Sequence, residues 1–222
     1  MKKYAVIVAG GSGTRMQSHI PKQFLEISGK PLLWYTVNTF LKAYDDLQII
    51  LVLPKENEFD LSGFGNEQKR ILIVFGGETR FHSVKNGLSI ITKDEPSVIF
   101  VHDGVRCAVS VALIQRCYEE AIQYGSAVPA VVSQDSVRIT ENNSNRIFDR
   151  NNVRLIQTPQ TFLSDIVLPA FQAEYQEVFT DEASVAEAAG HQIHLTEGEY
   201  TNIKVTRPTD LYTAEKFLFS DK

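Results

Sequence analysis

From Tyr4 to Val132, short continuous apolar runs alternate with longer stretches in which apolar positions recur every three or four residues. The runs Tyr4–Ala9, Leu47–Leu53, Ile71–Phe75, Val98–Val101 and Ala127–Val132 predict strands, and their near-continuous apolarity suits parallel strands covered on both faces. Between them, Pro31–Tyr44 puts Leu32, Leu33, Val37, Phe40 and Leu41 at helical spacing. A second helical pattern follows Gly76-Gly77 and runs through Ile91. A third, Val111–Tyr124, turns Leu113, Ile114, Cys117, Tyr118 and Ala121 inward, with Ser110 as N-cap and Gly125 as stop. The polar stretch Lys55–Lys69 carries no clear period. Alternating strand and helix imply right-handed crossovers within one parallel sheet.

After Val132 the alternation breaks. Ser136–Thr140 reads as a two-sided strand, Glu141–Asn145 as a polar turn and Arg146–Asp149 as the returning strand. Such a hairpin is marginal alone, so it is expected to project as an arm and pack on a second copy of the chain, giving a homodimer. Beyond it the pattern predicts a helix over Leu163–Glu174 and another opening at Thr180, its N-cap, and ending at Gly190. A short strand is flanked by His191 and His194, and a last strand, Asn202–Pro208, precedes a C-terminal helix, Pro208–Phe219. The fold class is therefore α/β: a single Rossmann-like domain, residues 1–222, with a mostly parallel sheet covered by helices and a β-arm insertion at about 134–156.

Composition narrows the function. A net charge of −5 argues against general nucleic-acid binding. No apolar run approaches a membrane span, and the stretch after Met1-Lys2-Lys3 is too short for a signal peptide's apolar core. With only Cys107 and Cys117 there is no metal cage, and the reducing cytoplasm is the expected compartment. Cys107 follows Arg106, but both cysteines read as structural.

The chemistry gathers at strand ends. The first strand runs into Ala9-Gly10-Gly11-Ser12-Gly13-Thr14-Arg15, followed by Pro21-Lys22-Gln23. Glycines leave backbone N–H groups open to phosphates, and Arg15 and Lys22 supply cations. The loop lacks both the third glycine of a dinucleotide fingerprint and the ending of a P-loop. Spacing alone fits a tight strand-to-helix turn with two solvated cations equally well. The second glycine turn, Gly76-Gly77-Glu78-Thr79-Arg80-Phe81-His82-Ser83-Val84, lies where a ligand crevice forms in an open parallel sheet. At the next strand end comes His102-Asp103-Gly104-Val105-Arg106, where Asp103 could hold a magnesium ion or cap the turn.

Taken in order, the motifs GGSGTRM, PKQF, GGETRFHSV, HDGVR, DRNNVRLIQTPQTF, TDEAS and NIKVTRPTDL resemble the 2-C-methyl-D-erythritol 4-phosphate cytidylyltransferases of the non-mevalonate isoprenoid pathway. One departure is HDGVRC, where many members carry alanine and proline around the arginine. The resemblance implies attack by the phosphate of methylerythritol phosphate on the α-phosphorus of CTP, with pyrophosphate leaving and Mg2+ assisting. The nucleophile is already an anion near neutral pH, so no general base is required.

The resemblance also assigns roles. It gives Ala9, Gly10, Gly11 and Gly13 to a triphosphate cradle, Arg15 and Lys22 to the α-phosphate, and Gly77, Glu78 and Ser83 to the cytosine. Asp103 falls at the junction of substrate and metal. Arg106, Thr180 and Lys204 surround the sugar phosphate, with Asp103 and Lys204 in the catalytic set. Arg150 with Thr158 is implied to reach the substrate of the neighbouring subunit. A ribitol-5-phosphate cytidylyltransferase shares the glycine loop, the PKQF lysine and the TPQ segment. GGETRFHSV and TDEAS favour methylerythritol phosphate over it. A non-catalytic CTP-binding protein would have little use for the residues around a second substrate.

Overall fold

The structure, a computed structural model, describes residues 1–10, 20–142 and 144–219. The first apolar run forms strand β1 (Lys2–Val8), and a small hairpin of β2 (Glu26–Ile27) and β3 (Lys30–Pro31) leads into helix α1 (Leu32–Ala43). Strands β4 (Leu47–Leu53) and β5 (Ile71–Phe75), helix α2 (Arg80–Leu88), strand β6 (Ser97–Asp103), helix α3 (Val111–Tyr124) and strand β7 (Ser126–Val132) follow. A parallel ladder runs β6, β1, β4, β5, with Val6 opposite Val101 on one side and Ile50 on the other.

The inner strands are apolar along their length because both faces are covered. Ala5, Ile7, Ile49, Leu51 and Phe100 point into one core with Val37 and Phe40 of α1 and Leu113 and Cys117 of α3. Their alternates Val6, Ile50, Val52, Ile99 and Val101 meet Phe81, Val84 and Leu88 of α2 on the other face. Period-two alternation thus fills two cores from one sheet. The end signals of α3 act as expected: the Ser110 hydroxyl accepts from Leu113 N at 2.9 Å, and Gly125 takes the left-handed conformation at φ 85°.

The remaining elements are β8 (Val137–Glu141), β9 (Ser144–Phe148), β10 (Arg154–Ile156), β11 (Gln160–Leu163), α4 (Ser164–Ala170), α5 (Glu182–Ala188), β12 (Leu195–Glu197) and α6 (Pro208–Phe219). Among the described residues, strands β8 and β9 pair only with each other, as a sheet separate from the main one, and Ile147 on β9 is 72% exposed. Strand β10 runs antiparallel to β7, and β12 runs parallel to it.

Five expectations need correction. Residues 160–163, where the pattern predicts no strand and starts a helix at Leu163, form a strand wedged between β6 and β7, antiparallel to both, and the helix begins after it at Ser164. The helix after it ends at Ala170, where Pro169 in the last turn has no N–H to contribute. The N-cap of α5 is Asp181 rather than Thr180: its carboxylate accepts from Ser184 N at 2.9 Å, and Ser184 reciprocates to Asp181 N. The short strand near the histidines begins after His194, at Leu195. Residues 202–207 run irregularly, tied to the neighbouring loop by Val205 N on Val105 O at 3.1 Å, and among the described residues no strand pairs with them. Among the described residues, no helix is long and apolar enough to cross a membrane.

Candidate active site

The carboxyl ends of β1 and β6 and the turn that follows β5 open onto a cavity of about 370 Å3. Its rim is fixed by backbone bonds that prolong the sheet: Ala9 N to Val52 O at 2.9 Å, Gly76 N to Leu53 O at 2.8 Å and Gly104 N to Val8 O at 2.9 Å. The buried Gln23 amide donates to Ala9 O at 2.6 Å, so the segment carrying Lys22 is anchored to the end of β1. Lys22, Gly10, Glu78, Ser83, Asp103 and Lys204 are all in the cavity wall.

The second glycine turn is built around Ser83. Its buried hydroxyl accepts from Gly77 N at 3.1 Å and donates to Thr79 O at 3.0 Å, while Thr79 caps α2 through His82 N at 3.3 Å. A Cβ on Gly77 would lie 2.5 Å from His82 Cβ, so no larger residue fits this turn.

On the cavity floor Asp103 meets three cations. Arg80 Nε lies 3.1 Å from Oδ1, Lys204 Nζ 2.8 Å from Oδ2 and Arg106 Nε 3.7 Å from Oδ2. Burial opposes ionisation of this carboxyl, but Arg80, Lys204 and Arg106 outweigh it and hold Asp103 well below the usual carboxylate range. The other edge of the Arg80 guanidinium grips Glu182 with two nitrogens, Nη1 on Oε1 and Nη2 on Oε2. Burial pushes the Glu182 carboxyl up against the pull of Arg80, whereas Glu182 and Asp103 together push Arg80 up against its own burial. The forked contact decides between them in favour of an ionised pair.

Beneath the floor a hydrogen-bonded layer holds Asp103 from behind. Thr158 Oγ1 accepts from Asp103 N at 3.0 Å and lies 3.1 Å from His102 Nδ1. Arg106 donates from Nη1 to Asn202 O at 2.8 Å and from Nη2 to Ile156 O at 3.4 Å, and Asn202 Nδ2 donates to Thr158 O at 2.8 Å. Lys204 stands two residues beyond Asn202, which is fully buried and fixes that segment.

Several residues singled out in the sequence therefore converge: Ala9, Gly10, Lys22, Gly77, Glu78, Ser83, Asp103 and Lys204 share one cavity. Gly11, Gly13 and Arg15 lie outside the described residues. Arg106 is buried under the floor with its guanidinium on backbone carbonyls, and Thr158 is buried too, so both face inward. Thr180 is exposed one residue before the α5 cap, and Arg150 is exposed at the arm's base with Nη1 on Gln134 O at 2.8 Å. Arg80, Glu182, His102 and Gln23 were missed. Arg80 lies inside GGETRF and Glu182 inside TDEAS, but each reads locally as a surface charge on a helix's first turn. Both cysteine thiols are buried, which pushes each up to about 12, so the arginine beside Cys107 does not activate it.

A cation-lined crevice at the carboxyl edge of a parallel sheet, with Gly10 on one side and the Gly77 turn on the other, suits a nucleotidyltransferase, which must bring two polyanions together. A family model described as 2-C-methyl-D-erythritol 4-phosphate cytidylyltransferase matches residues 4–220. The enzyme of that name from Bacteroides thetaiotaomicron is 44% identical over 214 residues, covering 95% of this chain and 97% of its own. The Bacteroides fragilis enzyme is also 44% identical, covering 98% and 100%. Among solved structures, the Thermus thermophilus enzyme superposes with a TM-score of 0.77 at 30% identity, covering 98% of this chain and 99% of that one. The chain belongs to the 2-C-methyl-D-erythritol 4-phosphate cytidylyltransferase family.

Proposed function

We propose that the chain joins CTP to 2-C-methyl-D-erythritol 4-phosphate, yielding 4-diphosphocytidyl-2-C-methyl-D-erythritol and pyrophosphate. The observation that carries this reading is the convergence of Lys22, Lys204 and the Asp103 cluster on one glycine-edged cavity. A phosphate oxygen of the sugar phosphate forms a bond to the α-phosphorus of CTP. The bond from that phosphorus to the bridging oxygen breaks, and pyrophosphate leaves with the electron pair. Cations must bring two polyanions together and stabilise charge on the α-phosphoryl oxygens.

Lys22, with Arg15, suits the α-phosphate, and Ala9, Gly10, Gly11 and Gly13 the triphosphate. The turn carrying Gly77, Glu78 and Ser83 suits the base, since its backbone groups are rigidly held and leave a polar rim. Lys204 suits the incoming phosphate, with Thr180 nearer the polyol. Arg106 and Thr158 contribute from beneath by holding the floor. A magnesium ion fits this donor set as an ion carried chiefly by the triphosphate oxygens, because such sites use one or two carboxylates with phosphates and water. Asp103 is the residue that would hold it, and the ion would supply neutralisation of phosphate charge. We further infer that the arm packs on a second copy, bringing Arg150 to that copy's cavity, and that the enzyme works in the cytoplasm, where both thiols stay reduced.

The test is pyrophosphate release by the purified chain with CTP and Mg2+, in parallel reactions containing methylerythritol phosphate or ribitol 5-phosphate. Faster release with methylerythritol phosphate is the expected result. Faster release with ribitol phosphate would move the protein to another polyol, and CTP binding without release in either reaction would leave a binding protein.

A further inference from the structure

The three cations on Asp103 are not held alike. Lys204 reaches it with one ammonium on a flexible stem and is the most exposed of the three, its side chain 39% accessible against 30% for Arg80 and 11% for Arg106. Arg106 Nε, at 3.7 Å, is too far for a hydrogen bond, and its other nitrogens are committed to backbone carbonyls. Arg80 is fixed from both sides, Nε on Asp103 and the remaining two nitrogens on Glu182. Glu182 is 1% exposed and stands at the start of α5, far along the chain from α2.

This asymmetry matters when a phosphate enters. Lys204 is the cation able to turn towards it, and in turning it leaves the nearly buried Asp103 without its shortest contact. A buried carboxylate stripped of its partner is strongly unfavourable. Arg80 is the group already in place to keep the charge matched, before any metal ion arrives with the triphosphate, provided that it cannot itself swing towards the phosphate. Glu182 provides that restraint.

We propose that Arg80 and Glu182 are positioning residues: Glu182 locks Arg80 onto Asp103, so that Lys204 can exchange from the carboxylate to the incoming phosphate without leaving Asp103 unpaired. This rests on the reading of Lys204 as a phosphate-binding cation. Without the lock, Lys204 stays on Asp103 and the reacting phosphates are misplaced, an error that costs about 10²-fold in rate for a displacement near 1 Å.

The pair is neutralised as a unit in Arg80→Gln/Glu182→Gln, which leaves two amides able to bond each other. In the full-length enzyme, kcat should fall by about 10²-fold while KM for CTP moves by less than about threefold. Adding Asp103→Asn frees Lys204, so the losses should be far from additive. Arg80→Lys keeps the charge but cannot fork between two carboxylates, so at temperatures well below its own melting transition it should still lose kcat with KM for CTP little changed. It also decides the matter if the double variant does not fold. Wild-type kcat in Arg80→Lys or in the neutralised pair overturns the inference, as does full additivity with Asp103→Asn. Lys204→Met tests the underlying reading separately: if it retains full activity, the role of Lys204 falls and the proposal with it. If Lys204→Met is inactive while the Arg80 and Glu182 variants are normal, only the positioning role falls.

Discussion

At the scale of single residues, His102 shows how the floor is kept uncharged from below. Its ring is fully buried, with Nε2 3.3 Å from Arg106 O and Nδ1 3.1 Å from Thr158 Oγ1. A carbonyl only accepts, so Nε2 carries the proton and Nδ1 accepts from the threonine hydroxyl, which in turn accepts from Asp103 N. Burial pushes this histidine from 6.5 down to about 3. The sign of the pH effect follows. Below about 6.5 the unfolded chain takes a proton that the folded chain refuses until about 3. Stability is therefore full above that window and falls by about 1.4 kcal/mol per pH unit as acid is added through it. Urea melts from pH 7 to pH 4 should show this slope in the wild type and a shallower one in His102→Asn; equal slopes would contradict it. The sequence marked Asp103, Lys204, Lys22 and Ser83 because the family resemblance gives each a role on a substrate, whereas Arg80 and Glu182 lie in the same motifs without one. It hid Arg80 and Glu182 because their contact spans 102 positions and leaves no local trace.

At the scale of elements, α5 depends on Asp181. Besides capping the helix, its carboxylate accepts from Gln160 Nε2 of β11 at 2.9 Å, and Gln160 Oε1 accepts from Ala183 N at 2.7 Å. Asp181→Ala should cost about 1–2 kcal/mol, a fall in melting temperature of roughly 2–8 °C for a chain of this size. Thr180→Ala should leave the transition nearly unmoved in calorimetry; the reverse order would return the cap to Thr180. The same bonds explain why β11 was not legible. Half of that strand is Gln160 and Thr161, polar but buried, and Gln160 is satisfied by a helix that follows it. Hydropathy reads such residues as solvent-facing. Residues 202–207 mislead in the other direction, since they alternate like a strand but find no partner, and pairing is a property of the neighbour.

At the scale of the whole molecule, the main sheet and its two cores were legible because parallel strands write themselves as continuous apolar runs. The arm was legible as a hairpin, whereas the role proposed for it needs a second copy of the chain. Among the described residues its strands pair only with each other, and Ile147, Leu155, Ile156 and Val132 near its base are exposed at 72, 51, 38 and 40%. Sedimentation should give twice the mass of one chain, and Arg150→Ala should raise KM for the sugar phosphate by about tenfold with little change for CTP. Mixing Arg150→Ala and Lys204→Met chains should recover activity, because a mixed dimer rebuilds one complete site. A monomer with normal kinetics in Arg150→Ala would end the shared-site reading.

The wedge position of β11 also bears on how the protein is made. During synthesis from the N-terminus, β1, β4, β5 and β6 can assemble as soon as they emerge, but β7 has no place beside β6 until Gln160–Leu163 arrives between them. For that interval β6, apolar along most of its length, presents an open edge to the cell. A chain truncated just before residue 160 should therefore aggregate or be captured by chaperones more than one ending just after α5, in which the edge of β6 is covered.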